Sequence, residues 1–271
     1  MSATPSHQQP LCGVVVVVLA DFWRQHQSWG WLRLVAGAGA YKDVPGLTSA
    51  KVMGSGHGGG FSLRPSATHQ GLICTFSHLD LALEFLESAA VQAYRSRARE
   101  CWTGVMQVQS GRGHWDKQAW QASAAEALGD IVEPQGPFAV LTRASIVPTK
   151  AMAFWRYAPA AQAELSHAPG CLLAMGLGEA PLVRQCTFSL WKDTESMLAY
   201  AQQGAHQLAS AAAYKHQFFS ESLFVRMRVL HMSGVWQGRT CKVSEQGDTP
   251  ALAPALGGQD QAQAQAELSH V

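Results

Sequence analysis

Two stretches of the chain share a pattern in which an apolar β-type run is followed by an amphipathic segment that carries tryptophan. The apolar runs are residues 13–22 and 137–146, and the amphipathic segments are residues 28–35 and 151–157. The first run begins with consecutive valines at 14–18, and a row of β-branched residues is typical of a buried strand. Each half of the chain is therefore predicted to begin with a strand that leads into a helix.

The rest of each half repeats one order of elements. The tetrapeptide CTFS occurs at 74–77 and at 186–189, and each copy follows a glycine-spaced motif, MGSG or MGLG. Helical patterns and closing β-type runs come next, at residues 79–97 and 102–109 and at residues 194–214 and 223–232. The order strand, helix, strand, strand, helix, strand thus occurs twice, as in the ferredoxin-like motif. We interpret the chain as an internal duplication.

Two such units have a packing requirement that predicts the architecture. Helices cover only one face of each antiparallel sheet, so the other face needs a partner. We therefore predict an α+β fold in which two ferredoxin-like βαββαβ repeats pack as a pseudo-dimeric α/β barrel. Such a barrel could hold an apolar ligand either between the two sheets or between a sheet and a helix.

Composition suggests where the units begin and end. The predicted repeats are residues 11–116 and residues 137–241, joined by a linker at 117–136 that is rich in Ala, Gln and Glu. Residues 1–10 are polar and are expected to be disordered. Residues 242–271 form a low-complexity tail that lacks a core-forming period.

Charge and cysteine content exclude some classes of protein. The 271 residues carry a net charge of +1, with 14% charged residues, so the chain has no basic patch for nucleic acid. Six cysteines without a CxxC pair fit a reduced, cytoplasmic setting. The longest apolar run, residues 14–20, is far shorter than the roughly 20 residues of a membrane-spanning helix. Nine tryptophans fit either a large core or an apolar surface for a ligand.

Short motifs in the second half resemble the spheroidene monooxygenase family of carotenoid biosynthesis. In chain order they are LTRA at 141–144, FW at 154–155, GLGEAP at 176–181, QCTFSLW at 185–191 and GAH at 204–206. The first half contributes less, through GSG at 54–56. The chain departs from the family pattern at His57, where a small hydroxyl residue is expected, and at Ala205, which replaces a proline.

The resemblance implies a haem-dependent monooxygenase that uses dioxygen and electrons from a reduced ferredoxin. Members of the family install a keto group at the C2 end of acyclic carotenoids such as spheroidene, through two hydroxylations and loss of water. The implied partners are thus a hydrophobic carotenoid and a ferredoxin-type electron donor. Peripheral association with the inner membrane and the oligomeric state both stay open.

A histidine of the C-terminal half is the expected axial ligand of the iron, because related α/β-barrel haem proteins bind haem in this way. His206 is the best candidate, since Ala209 and other small residues on its helix would let a flat macrocycle approach. The alternative is a core histidine on an alanine-rich helix that packs tightly on its sheet. His216 lies on another side of the helix, and Cys171 or Cys186 lacks a metal-type spacing.

Two charged residues are further candidates for the site. Arg143 interrupts an apolar strand and needs a partner there. That partner could be a haem propionate, an iron-bound oxygen, or a carboxylate such as Glu179. Glu179 could relay protons during catalysis or be an ordinary turn residue.

Three aromatic residues could line a channel for a long polyene, or could belong to the core: Trp155, Phe188 and Trp191. Two other classes of function also fit the fold. One is a cofactor-independent small-molecule monooxygenase, and the other is a non-catalytic module that binds haem or lipid. No GxSxG, HExxH or P-loop motif points elsewhere.

Overall fold

A computed structural model describes five parts of the chain, residues 11–60, 62–121, 136–180, 182–243 and 253–254. Residues 1–10, most of the predicted linker at 117–136 and most of the predicted tail at 242–271 lie outside these described residues. The proposed domain boundaries therefore stay predictions.

The described residues form twelve strands, and eight of these build a closed antiparallel barrel. The strands are β1 (Leu11–Cys12), β2 (Val14–Phe22), β3 (Leu47–Gly56), β4 (Pro65–Phe76), β5 (Ala98–Gly113), β6 (Trp120–Gln121), β7 (Phe138–Ile146), β8 (Cys171–Ala180), β9 (Arg184–Trp191), β10 (Phe219–Trp236), β11 (Arg239–Val243) and β12 (Ala253–Pro254). The barrel order is β10–β5–β2–β4–β3–β8–β9–β7, and β7 pairs with β10 to close it. Strands β11 and β12 extend the sheet beyond β10, whereas β1 and β6 form a separate parallel pair.

Helices cover the outside of the barrel. They are α1 (Gln27–Ala36), α2 (Leu79–Glu87), α3 (Ala89–Arg95), α4 (Ala151–Phe154), α5 (Ala158–Leu165), α6 (Thr194–Ala201) and α7 (Gly204–His216). Each half thus runs strand, helix, strand, strand, helix pair, strand. The predicted α+β barrel of two ferredoxin-like units is confirmed.

Both long helical patterns are interrupted in the structure. The first breaks at Ser88, whose side chain accepts a hydrogen bond from the backbone N–H of Val91 and so caps a new helix. The second breaks at residues 202–203, between α6 and α7. The closing strands β5 and β10 are longer than predicted, because their ends also pair with neighbouring strands. The start of β5 pairs with β2, and the two ends of β10 pair with β7 and β11.

The valine run of β2 is buried on both faces. Val15 and Val17 belong to the apolar cluster inside the barrel, whereas Val14, Val16 and Val18 pack under α2 and α3. A strand that is covered on both sides needs no polar alternation, which explains why this segment reads as a continuous apolar run.

The two CTFS tetrapeptides lie on corresponding strands but face opposite sides of the sheet. On β4, Cys74 and Phe76 point outward to the helix layer. On β9, Cys186 and Phe188 point into the barrel. Because successive residues of a strand alternate between faces, the two copies are not equivalent positions. The shared tetrapeptide therefore does not mark the duplication, although the order of elements repeats.

Side chains fill the barrel interior. The ring centroids of Trp102 and Phe188 lie 5.4 Å apart. The Trp115 ring stacks on the Trp120 ring with centroids 5.6 Å apart. The two sheets are thus held together by a packed aromatic and aliphatic core. Space for a ligand lies outside the sheet, between strands and helices. None of the helices in the described chain has the length and apolar character that a bilayer crossing needs.

The close packing of Trp102 on its own strand gives a test of the barrel core. A Cβ atom at Gly104 would lie 2.5 Å from Cη2 of Trp102. We expect Gly104→Ala to lower the free energy of unfolding by about 1–3 kcal/mol, because the indole must shift in a filled interior. Urea denaturation followed by circular dichroism measures the change.

Gly39→Ala is the matched control, because a Cβ at Gly39 would have no neighbour within 4 Å. Equal unfolding midpoints for the two variants would contradict the packing described here.

Candidate functional site

A cavity of about 230 Å³ lies between the outer face of the second sheet and helices α5, α6 and α7. The strands β7, β9 and β10 supply a floor that is partly polar, with Thr142, Gln185, Thr187, Ser189 and Ser222. The helices supply mostly small side chains, namely Ala158, Ala161, Ala201, Ala209, Ser210 and Ala213. A flat or elongated apolar ligand would therefore meet alanine on one side and hydroxyl or amide groups on the other.

The first half of the barrel has no such floor. There the outward residues of β2 and β4 that pack under α2 and α3 are apolar, and they include Val16, Val18, Leu72 and Phe76. The difference between the halves follows from side-chain chemistry at corresponding outward positions. Among the described residues of the second half, polar sheet positions face small helix positions across the cavity.

Helix α7 stands away from the sheet over most of its length. Ala212 is its one buried residue, and the helix packs chiefly against α5. His206, Ala209, Ser210 and Ala213 line the cavity, and their spacing places them on one face of a helix. Ala209, which the sequence placed at the cofactor, thus lies beside His206 at the cavity. The alternative, in which this helix packs tightly on its sheet, is not observed.

The GAH motif fixes the start of this helix. The backbone N–H of Ala205 donates to Oε2 of Glu164 at 2.7 Å, so a carboxylate of α5 caps the N-terminus of α7. Gly204 has φ +57, and a Cβ there would lie 2.4 Å from the same oxygen. Glycine is therefore required at this position for the cap to form. The cap ties α7 to α5 and sets the height of His206 above the sheet.

The ring of His206 is oriented by two contacts. Its Nδ1 lies 3.1 Å from the carbonyl oxygen of Ala201, and since a carbonyl only accepts, Nδ1 carries the hydrogen. The Tyr200 ring lies 4.8 Å from the imidazole, and its hydroxyl donates to Ala161 O at 2.9 Å. Nε2 has no hydrogen-bond partner among the described residues, and in this tautomer it can offer a lone pair. This arrangement is typical of a metal-binding histidine.

Arg143 and Glu179 are paired with each other in a separate cluster at one end of the barrel interior. Nη2 of Arg143 lies 3.2 Å from Oε2 of Glu179, and Nη1 donates to Glu221. The guanidinium carbon lies 5.7 Å from the centre of the Trp115 ring, whose Nε1 donates to Glu179 at 3.2 Å. Lys51 completes the cluster at 3.4 Å from Glu179.

The surroundings keep this cluster charged. Partial burial acts to raise the pKa of Glu221, but N–H donors from Lys117 and Asp116 and the charge of Arg143 outweigh it and lower the pKa. Lys51 likewise outweighs burial and lowers the pKa of Asp116. Of the alternative partners for Arg143, the structure thus provides a carboxylate, from Glu179 and from Glu221.

The cluster and the histidine lie on opposite faces of one sheet. Along β7, Leu141 belongs to the barrel interior, whereas Thr142 and Ala144 lie in the cavity wall. Arg143 lies two residues after Leu141 and so takes the same face of the strand. Its guanidinium therefore points inward, although the residue borders the cavity. The structure therefore does not bring Arg143 and Glu179 together with His206.

Of the three aromatic residues predicted for a channel, Trp191 lines the cavity. Its Nε1 donates to Oγ of Ser189 at 2.9 Å. Phe188 points into the barrel against Trp102. Trp155 is buried beside Ile146, and its Nε1 donates to Leu182 O at 3.0 Å. A channel along this cavity would thus use Trp191 and not the other two.

Several cavity residues had not been singled out from the sequence. Phe154 lines the cavity next to the buried Trp155. Gln162 on α5 is only 9% exposed, and its Oε1 has no hydrogen-bond partner among the described residues. The alternation of Gln185, Thr187 and Ser189 on β9 was a readable signal, because it marks one polar face of a strand that is otherwise apolar.

The other proposed iron ligands are less suited to the cavity. The His216 ring stacks on Phe218 at 5.5 Å, away from the cavity lining. Burial raises the pKa of the Cys171 thiol to about 11, and burial inside the barrel raises the pKa of Cys186 further. No group of three or more His, Cys, Asp or Glu within the described ranges could hold a metal ion. Haem iron, by contrast, needs a single protein ligand on one side.

The fold resembles solved structures of aldoxime dehydratases. One, in complex with butyraldoxime, has a TM-score of 0.51 and 7% identity, and the match covers 81% of this chain and 80% of the chain of that enzyme. A second has a TM-score of 0.50 and 8% identity, with 84% and 88% of the two chains covered. At such low identity the likeness shows the fold alone.

Sequence relatives are more specific. No family model matches the chain. A spheroidene monooxygenase of Rubrivivax gelatinosus is 45% identical over 227 residues, which cover 83% of this chain and 86% of that relative. Another, from Rhodobacter capsulatus, is 30% identical over 213 residues, or 78% of this chain and 87% of the relative.

A third relative, from Cereibacter sphaeroides, bears the same name. It is 32% identical over 216 residues, which cover 76% of this chain and 64% of that protein. These three relatives show that the chain belongs to the spheroidene monooxygenase family.

Proposed function

We propose that this protein is a carotenoid monooxygenase that binds haem in the cavity under α7, with His206 as the axial ligand. The observation that carries the proposal is the state of the His206 ring. Its Nδ1 donates to a backbone carbonyl, and its Nε2 is left unpaired at a cavity lined by alanine. Membership of the family supplies the class of reaction, and the cavity supplies a place for it.

The residues present fit a haem group on two counts. His206 offers an imidazole nitrogen, and the small side chains of Ala209 and Ala213 leave room for a flat ring. The cavity volume of about 230 Å³ is below the range of roughly 300–1,000 Å³ typical of ligand sites. A haem group would therefore need a wider cavity than the structure shows.

Bound haem would supply the activation of dioxygen, with electrons from a ferredoxin-type donor. Each hydroxylation consumes one dioxygen, two electrons and two protons, and releases one water. Two hydroxylations at the C2 carbon of an acyclic carotenoid such as spheroidene give a geminal diol, which loses water to leave the keto group. This stoichiometry needs proton donors and a dry, apolar place for the polyene end.

The chain provides both around the cavity. Thr142 and Thr187 are direct partners across β7 and β9, and their hydroxyl groups face the cavity opposite α7. Phe154, Trp191 and Phe224 provide apolar wall for the polyene. The hydroxyl pair can hold or pass a proton at the reacting end, while the aromatic residues exclude water and orient the chain.

The first test concerns the ligand. We expect His206→Ala to fold but to lose bound haem, its Soret band and its oxygenase activity, because a methyl group has no lone pair for iron. Imidazole in the medium should restore part of the spectrum. The measurement is a reduced-minus-oxidised spectrum of protein from cells supplied with haem precursor.

His216→Ala is the matched control, because its ring lies on the same helix but away from the cavity. It should keep the Soret band. A normal spectrum for His206→Ala would overturn the ligand assignment. A wild-type protein that binds no haem when fully reconstituted would favour the cofactor-independent monooxygenase, and haem binding without product from a carotenoid-producing host would favour a binding module.

The second test concerns the space beside the histidine. Ala209→Phe places an aromatic side chain in the cavity, and we expect bound haem per chain to fall on the order of tenfold, because overlap in a filled site is costly. Leu208→Phe is the control, since Leu208 is exposed on the opposite side of the helix. Circular dichroism should show equal helix content. Equal haem content in the two variants would contradict the placement.

The third test separates the ion cluster from the chemistry. Arg143→Met leaves Glu179 and Glu221 without their cation, and we expect a loss of about 3 kcal/mol in unfolding free energy. Haem content per folded chain should stay unchanged, because the guanidinium points away from the cavity. Denaturation and the haem spectrum measure the two effects. A stable variant that has lost haem would instead give Arg143 a direct role at the cofactor.

A further inference from the structure

One end of the second half carries a surface of exposed apolar side chains, which we call the α4–α7 surface. It consists of Met152, Tyr157, Leu182 and Tyr214, which are 74%, 37%, 41% and 82% exposed. Contiguous exposed apolar side chains of this kind typically mark an interaction site.

Contacts beneath these residues hold the segments together. Nζ of Lys150 donates to the carbonyl oxygens of His216 at 2.7 Å and Gln217 at 3.0 Å, which joins the start of α4 to the end of α7. The Phe218 ring lies 6.2 Å from Phe154 and 6.3 Å from Tyr157. Nε1 of Trp155 also donates to the carbonyl oxygen of Leu182 at 3.0 Å, so the exposed side chains lie on segments that contact one another.

Cations accompany the apolar residues. Lys150, Arg156 and Lys215 belong to the same segments, and residues 148–163 and 204–219 contain no Asp or Glu. Tyrosine, methionine and leucine together with lysine and arginine are typical of a surface that lies on a membrane. The absence of acidic residues from these two segments gives the patch one sign of charge.

The carboxylates that border these segments are already bound. Glu164 accepts from the backbone of Ala205 at the far end of α7. Glu221 is held by Arg143 and by backbone N–H groups. Glu221 is therefore offset by a cation, whereas Glu164 keeps its charge at the start of α7, at the other end of the helix from Lys215.

The patch adjoins the cavity. Phe154 of α4 and Ala213 of α7 both line the cavity, and both lie within one residue or two of the exposed Met152 and Tyr214. A molecule that enters between α4 and α7 would thus pass from the apolar patch directly to the cavity wall.

We propose that the α4–α7 surface docks on a bilayer that contains anionic lipid, so that a polyene dissolved in the membrane enters the cavity between α4 and α7. The route rests on the proposed function, but the docking does not need haem or substrate. Cations attract the anionic headgroups, and the exposed apolar side chains enter the boundary between headgroups and acyl chains.

A second exposed apolar face exists on α1, where Trp31, Leu32 and Val35 are 47%, 65% and 84% exposed. Helix α1 packs on β3 and β4 of the first half, and its residues do not line the cavity. It is the competing site for any lipid binding, and it supplies a matched control.

The test is cosedimentation of the full chain with vesicles. One set contains phosphatidylcholine alone, and the other contains equal parts phosphatidylcholine and phosphatidylglycerol. We expect wild-type protein to bind the anionic vesicles, and binding should fall as salt is added. Lys215→Glu should weaken binding by at least roughly fivefold. Met152→Asp with Tyr214→Asp should weaken it on the order of tenfold, and Val35→Asp should leave it unchanged.

Absence of binding to anionic vesicles by the wild-type protein would overturn the proposal. So would a loss with Val35→Asp that the Met152 and Tyr214 variants do not share, because it would assign the contact to α1. Turnover of a carotenoid dispersed in detergent by the wild-type protein tests the proposed function separately, since that assay does not require docking.

Discussion

Each four-stranded sheet of this protein has two faces to cover, and its own helices reach only one. Closure of β7 on β10 and pairing of β5 with β10 bring the two uncovered faces together. The resulting interior is filled by aromatic and aliphatic side chains such as Trp102, Phe188 and Met175. Because this interior is packed, the candidate cavity of the described residues lies in the outer layer, between a sheet and its helices.

The two outer layers differ, and that difference gives the molecule its candidate site. In the first half, valine and phenylalanine on the sheet pack directly against the helices. In the second half, hydroxyl and amide side chains on the sheet face alanine on α5 and α7 across a cavity. The Glu164 carboxylate caps α7 and ties its start to α5, and His206 follows directly and borders that space. A structural hydrogen bond thus sets the position of the candidate ligand.

The same layer connects the cavity to the protein surface. Helix α7 has a cavity face with His206 and Ala213 and an exposed face with Leu208 and Tyr214. The ion cluster around Arg143 lies on the other side of the sheet and holds the end of the barrel through Glu179 and Glu221. The candidate site and the ion cluster are therefore separated by the sheet, although Thr142 and Arg143 are neighbours in sequence.

The sequence by itself determined the order of elements, the fold class and the family, because helix and strand periods and short motifs are local properties. It also pointed to His206 and Ala209, which share one helix face. Only the tertiary structure decided which face each strand residue takes. Strand parity turned Cys186 and Phe188 into the barrel while Cys74 faces the helices, and it gave Arg143 a carboxylate partner. A shift of one residue in a strand reverses its facing, and that register depends on pairing between distant segments.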